Sequence, residues 1–412
     1  MVETNKTFGL TRPQWAWAFY DFGNSAFATT VMAGFFPLFF KQYWAKNLNP
    51  TESTFMLGSA NSLASFALVC IILWMGRWAD ETAKRKVFLA ATTLVGALAT
   101  LALSFVPSES PYIACLFYGM AALNFGLGLA FYDALLVDVS PPDSWDWVSG
   151  AGYALGYLGG GILFLINVIM TLQPQWFGFS SVAVAVKWSF ASVAFWWVLF
   201  SLPLFKGVKE KSPEASEKDL QFKEIFKHLK THKAMGWFLL AFLFYNDAVN
   251  TIVKMAVDYG SALGFESKDL IGALLMVQFI GFPAALAMGA LGNRIGPLKG
   301  IYFCLFTYLI GSLLAQHMSQ VLHFYLLAAM IGLVQGGVQS LSRSYFARFI
   351  PEGEGATYFG LFNLSGKFSA VLGPALMGLL AWSTGSNRLS MLVVIGFFFI
   401  GLLLLRKSQL RT

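Results

Sequence analysis

At 412 residues, 57% hydrophobic and only 12% charged, the chain is too apolar for a soluble protein and too long for one or two membrane anchors. Its formal charge of +7 resides mostly in short basic stretches between apolar runs, so it reads as no nucleic-acid site. Cys70, Cys115 and Cys304 have no paired spacing, which argues against a disulfide framework or a metal site, and the four histidines fall in loops or at run edges, which excludes a histidine proton relay at depth.

A bilayer core takes roughly 20 apolar residues per helix. Twelve such runs lie near 15–40, 55–76, 87–106, 112–138, 147–171, 182–204, 234–257, 270–291, 299–316, 322–346, 355–382 and 389–405. They are continuous instead of alternating, so they predict helices, not barrel strands, and an all-α polytopic membrane protein. With both ends in the cytoplasm, the loops on that side carry nineteen Lys and Arg against five on the other (Lys41, Lys46, Lys187, Lys268, Arg388). The positive-inside rule therefore puts both termini there. No cleavable signal peptide is expected, because the first run is too long and carries Asp21.

The first run holds a polar knot, Tyr20-Asp21-Phe22-Gly23-Asn24-Ser25. At 1.5 Å per residue Asp21 lies ~9 to 13 Å deep, with Asn24 and Ser25 on its face. The second run ends in a short basic loop in which Gly76 lets two helices approach, Asp80 can cap a neighbouring helix N-terminus, and Lys84, Arg85 and Lys86 hold the loop to the inner face. The fourth run carries Asp133 and Asp138, about 140° apart around the helix, so they cannot share a face; Asp138, near the inner end, suits a gate or loop salt bridge. Most glycines of the fifth run, Ser149 to Gly161, read as close-packing positions, while Tyr153 and Tyr157 present two hydroxyls one turn apart.

Residues 206–233 form a hydrophilic linker between an N-terminal half, 1–205, and a C-terminal half, 234–412. Leu220, Ile225, Phe226 and Leu229 recur at roughly helical spacing, which predicts a short basic amphipathic helix on the inner membrane surface, acting as a tether. The second half then repeats the first. Tyr245-Asn246-Asp247-Ala248-Val249-Asn250-Thr251 restores the pattern Asp-x-x-Asn-Ser/Thr, with Asp247 roughly 20 Å in and Asn250, Thr251 and Lys254 on its face. The plainer reading is that Asp21 and Asp247 only bridge helices, Asp247 pairing with Lys254; their depth favours a functional one. Gly289 to Gly296 repeats the basic loop, with Asn293 and Arg294 in place of Asp80 and Glu81.

Arg343 and Arg348 of the tenth run match Asp133 and Asp138 at an offset of 210, and Gln339 lies one turn before Arg343. If Asp133 meets Arg343, the pair would lock the inner gate. Asn363 and Lys367 match Tyr153 and Tyr157; Lys367 lies about 18 Å deep, where it must pair with an acid, lower its pKa or bind an anion. These recurrences predict true internal repetition.

The two basic loops resemble the signature loop of the major facilitator superfamily, Gly-x-x-x-Asp-Arg/Lys-x-Gly-Arg-Arg/Lys. Glu81 and Ala83 stand where Arg and Gly are usual, and Asn293 stands for Asp. Phe19 to Ala26, Tyr245-Asn246-Asp247 with Thr251-Ile252, Gln335 to Ser344, and Gly366 to Ser369 with Gly373-Pro374 resemble the vacuole-effluxer-like, autophagy-related branch, in its compact bacterial form. The resemblance implies twelve transmembrane helices in two pseudo-symmetric six-helix halves and solute transport by alternating access in a bacterial cytoplasmic (inner) membrane.

Within that frame, a cavity lined by spans 1, 4, 5, 7, 10 and 11, with a proton on Asp21 or Asp247 and cations at Arg343 and Lys367, suits a zwitterion such as an amino acid or small peptide. Proton-coupled efflux of organic cations or drugs is the rival transport reading, and a non-transporting receptor or scaffold the rival from another class. No nucleophile, metal or phosphate-binding motif points to an enzyme. The partners expected are a small-molecule substrate, protons and the lipid bilayer, around a monomer with no cofactor.

Overall fold

The computed structural model describes residues 9–210, 229, 231–262, 264–368, 372–385 and 387–409. Each of the twelve apolar runs is helical where described. The first helix, α1 (Arg12–Ala26), opens on a capping box: Thr11 N–H donates to Gln14 Oε1 at 2.8 Å, and Pro13 sits in the first turn. It runs on through wider π-type turns at Phe27–Phe35 and Phe40–Trp44, with one α turn, Phe36–Phe39, between them. Then follow α2 (Pro50–Glu81), begun by an Asn49/Glu52 capping box, α3 (Arg85–Leu103), α4 (Pro111–Ala134), α5 (Trp145–Leu172) and α6 (Val182–Gly207).

The second half contributes α7 (Lys233–Ala262), α8 (Ser267–Ile295), α9 (Pro297–Ala315), α10 (Val321–Ala347), α11 (Gly355–Phe368), α12 (Leu372–Thr384) and α13 (Asn387–Lys407). Among the described residues, ten helices are long and apolar enough to cross a membrane. Of the other two expected spans, the first contains the π-type turns, and the eleventh is described as α11 and α12, with residues 369–371 outside the described residues. Of the linker, residues 211–228 and 230 lie outside the described residues, and with them Leu220, Ile225 and Phe226 of the expected amphipathic helix.

Two compact units account for the chain. Among the described residues the first comprises 9–140, 155–210 and 354–360, and the second 141–154, 229–353 and 361–409. In the first unit α1 packs on α6, α2 on α4, and α3 on both α4 and α6. In the second unit α7 packs on α13, α8 on α10, and α9 on both α10 and α13. The same pairings recur because the same apolar faces recur, which is what an internal repeat requires.

Backbone geometry repeats too. Ala83, at the turn after α2, has φ +48°, and Gly296, 213 residues later at the turn after α8, has φ +88°. The glycines of α5 pack closely, as expected: a Cβ at Gly159 would collide with the Phe22 carbonyl, and one at Gly160 would press on Thr29 at 3.1 Å.

Candidate functional site

Each polar knot builds the same local bond. Ser25 Oγ donates to Asp21 Oδ1 at 3.2 Å, and Thr251 Oγ1 donates to Asp247 Oδ1 at 3.3 Å, so the hydroxyl four residues on, one turn up the helix face, serves the carboxylate in both copies. In the first unit Asp21 and Ser25 face Gly156 of α5, where a Cβ would come within 3.3 Å of the carboxyl carbon and 2.7 Å of the hydroxyl. Tyr20 bonds Thr93 on α3 at 3.1 Å, and Asn24 is buried beside it. Asp133, on α4, is buried as well.

In the second unit the knot is tied to two helices, α10 and α12. Tyr245 bonds Ser342 at 2.7 Å, and Gln339 Nε2 donates to Asn246 Oδ1 at 2.8 Å, both on α10. Asp247 accepts the Gly373 amide on both oxygens, at 2.9 and 3.0 Å. Gly373 is the second described residue of α12, so the carboxylate of Asp247 ties α7 to that segment. A Cβ at Gly373 would collide with Thr251 Oγ1 and come within 2.6 Å of Asp247. Asn250 and Asn363 are half-buried on α7 and α11, and the Lys254 and Lys367 side chains lie outside the described residues.

Arg343 on α10 is 1% exposed. Its Nε donates to Ser149 Oγ at 2.9 Å, its Nη2 donates to the Ser149 carbonyl at 3.0 Å, and its guanidinium lies 4.4 Å from the centre of the Tyr153 ring. Both partners belong to the first turns of α5. Tyr157, one turn on, falls in the first unit instead and is half-buried there.

The loop after α2 forms a clamp in the first unit. Asp80 Oδ1 accepts from Arg85 Nε at 2.7 Å and from the Ala356 amide at 3.0 Å; Oδ2 accepts from the Thr357 amide and hydroxyl, both at 2.7 Å. Asp80 thus caps α11, whose first turn enters the unit with residues 354–360. Gly76 makes the approach possible, since a Cβ there would lie 2.8 Å from the Ala356 carbonyl. Arg85 reaches on to Asp138 at 3.0 Å, the loop salt bridge expected of that residue. On its backbone side, the Arg85 and Lys86 amides donate to the two oxygens of Glu210 at 2.8 and 3.0 Å, so the first residues of the linker cap α3.

The second loop forms a different clamp in the second unit. Asn293 Oδ1 accepts from the Trp147 amide at 3.3 Å, capping α5, while Arg348 Nη2 pairs with Asp146 Oδ2 at 2.9 Å. Gly150 and Gly289 bring α5 and α8 backbone to backbone: a Cβ on Gly150 would lie 2.8 Å from the Gly289 Cα. Arg294 stands exposed in the last turn of α8, a favourable place for a cation. Sequence reasoning had not singled out Ser149, Asp146, Thr357 or Glu210. For Asp146 a signal existed, an acid in the first turn of an apolar helix; for Thr357 and Glu210 nothing local marks the distant partner.

Comparison with known proteins follows the same lines. The pattern of the family described as "Vacuole effluxer Atg22 like" matches residues 49–140 and 138–411. The "Uncharacterized MFS-type transporter YxiO" of Bacillus subtilis (strain 168) is 34% identical over 404 residues, covering 96% of this chain and 94% of that one. "Autophagy-related protein 22" of Saccharomyces cerevisiae (strain ATCC 204508 / S288c) is 25% identical over 487 residues, covering 94% and 89%. Among solved structures, a variant of the E. coli fucose:proton symporter FucP and the human organic anion transporter MFSD10 each give a TM-score of 0.72, at 14% and 13% identity. Both cover 97% of this chain, and 98% and 99% of their own lengths respectively; the likeness is one of fold.

Proposed function

Because the chain belongs to the vacuole effluxer Atg22-like family of MFS-type transporters, we propose that it is a secondary active transporter that moves a small zwitterion, an amino acid or small peptide, by proton-coupled alternating access. The observation that carries this reading is the presence of both signs of charge in the apolar interior. Asp21 and Asp247 are buried in the first span of each half, and Arg343 is buried on α10. Buried ionisable groups in membrane helices mark solute and proton paths. In this reading the proton is carried by Asp21 or Asp247, the buried carboxylates of the two repeated knots. Arg343 and Lys367 provide the cations for a carboxylate.

The two solved folds are named for different cargoes, a sugar and organic anions, so the fold alone selects no substrate. The basic loops support a cytoplasmic position for both termini; a bacterial inner membrane and a monomeric state complete the proposal.

The test is thermal stabilisation of the purified protein across amino acids, dipeptides, organic cations and sugars at two pH values, with Lys367→Ala, Asp21→Asn and Asp247→Asn alongside. Stabilisation by a zwitterion, lost in Lys367→Ala and insensitive to pH in one of the two aspartate variants, is the expected result. Stabilisation by organic cations that survives Lys367→Ala would replace this reading with cation efflux. A protein stabilised by none of these classes, with all three variants behaving like the parent, would leave the receptor or scaffold reading in its place.

A further inference from the structure

The two clamps use the same loop position to cap a helix, but not the same charges. In the first unit the loop residue itself, Asp80, is the acid, and its two oxygens are filled by four donors from Arg85, Ala356 and Thr357. In the second unit the matching loop residue is neutral Asn293, with a 3.3 Å bond to the Trp147 amide. The acid stands one residue before that amide, as Asp146, 2% exposed and paired with Arg348.

We infer that the carboxylate of the second clamp has moved from the loop onto the helix being clamped, so that Asp146 is the positioning residue corresponding to Asp80, and Asn293 is neutral because Asp146 occupies the place beside it. Three features support the exchange. Asn293 Oδ1 bonds the amide of Trp147, the residue after Asp146, and the backbone of the adjoining Gly292 packs on Asp146, so an acid at 293 would put a second negative charge beside a buried carboxylate. Asp146 is in the first turn of α5, where a negative charge serves the helix end as well as a loop acid does. Arg348, the cation of this clamp, matches Asp138, an acid of the first clamp, so the sign has been exchanged at that position too.

The exchange leaves the second clamp less complete. Among the described residues, Asp146 Oδ1 and Arg348 Nε are buried without a hydrogen-bond partner, whereas Asp80 is filled. A half-satisfied buried pair is the weaker fastening. It follows that the first turns of α5 release before the first turn of α11.

A charge-relocation cycle on the full chain tests this. Hydrogen exchange is followed at residues 145–150 and 355–360, with the middle of α10 as control, in the parent, Asn293→Asp, Asp146→Asn and the double variant. In the parent, residues 145–150 are expected to exchange faster than 355–360. Each single change should raise exchange at 145–150 by about tenfold, one by crowding two carboxylates and the other by stranding Arg348. The double variant, with the acid back on the loop, should return to within about threefold of the parent. In unpurified detergent extracts, which can be melted even where a single variant is too unstable to purify, the double should melt above both singles. A double variant at least as fast as the product of the singles, or a double melting no higher than the singles, overturns the relocation. Slower exchange in Asn293→Asp alone does the same, and parent exchange slower at 145–150 than at 355–360 overturns the order of release.

Discussion

Ala83 sits at φ +48°, a conformation in which a Cβ presses on the following carbonyl at a cost of about 1–2 kcal/mol. The equivalent turn of the second half uses Gly296, which has no such cost, and the superfamily's loop signature also has Gly there. Ala83 gains back part of the difference because a glycine would lose more chain entropy on folding. Ala83→Gly is therefore expected to stabilise the protein by about 0.5 kcal/mol, the difference between those two terms. A melting curve of the purified variant checks the sign: an unchanged or lowered midpoint would mean that the turn after α2 relaxes around the alanine. The departure from the loop signature at this residue is thus a local strain, carried next to Asp80 and Arg85, and leaves the pattern of the turn intact.

At the scale of elements, helix ends are where this chain does its polar business. Asp80, Asn293 and Glu210 each accept from first-turn amides, of α11, α5 and α3 respectively, and Asp247 accepts the Gly373 amide of α12. The helices themselves were legible in the sequence, since a continuous apolar run has few alternatives in a bilayer, and so were the knots, since an aspartate in such a run stands out. What each carboxylate binds was not legible. The position of Asp80 predicts that it caps a neighbouring helix, but nothing near it names residues 356 and 357, and nothing near Asp247 names the amide of Gly373. A backbone amide leaves no mark in a sequence. Glu210 was hidden for another reason, as one acid in a lysine-rich stretch. Because it ties the start of the linker to the same residue, Arg85, whose side chain bridges Asp80 and Asp138, Glu210→Ala should loosen the N-terminus of α3 by roughly 0.5–2 kcal/mol, the usual worth of a cap. Faster hydrogen exchange confined to residues 85–90 is the expected reading. Unchanged exchange there would show that water replaces the carboxylate at no cost.

At the scale of the whole molecule, neither half of the chain is a self-sufficient unit. The first unit takes residues 354–360 from the second half, and the second takes residues 141–154 from the first. The borrowed pieces carry partners for buried charges: Ala356 and Thr357 for Asp80, Ser149 and Tyr153 for Arg343. Removing the partner of a buried charge costs about 3–5 kcal/mol, a large share of the stability of a folded domain. A chain cut between residues 211 and 228 and expressed as two pieces should therefore co-purify as one complex, because every clamp can still form. The C-terminal piece expressed alone should aggregate or run polydisperse in detergent, with Arg343 stripped of Ser149. Supplying a first piece with Ser149→Ala should lower the midpoint of the reassembled complex, because one of the guanidinium's hydrogen bonds is lost while the carbonyl contact remains. A C-terminal piece that is monodisperse alone and melts at the same temperature as the complex would show that the helix ends exchanged between the halves are packing accidents, and that each half carries its stability within its own sequence.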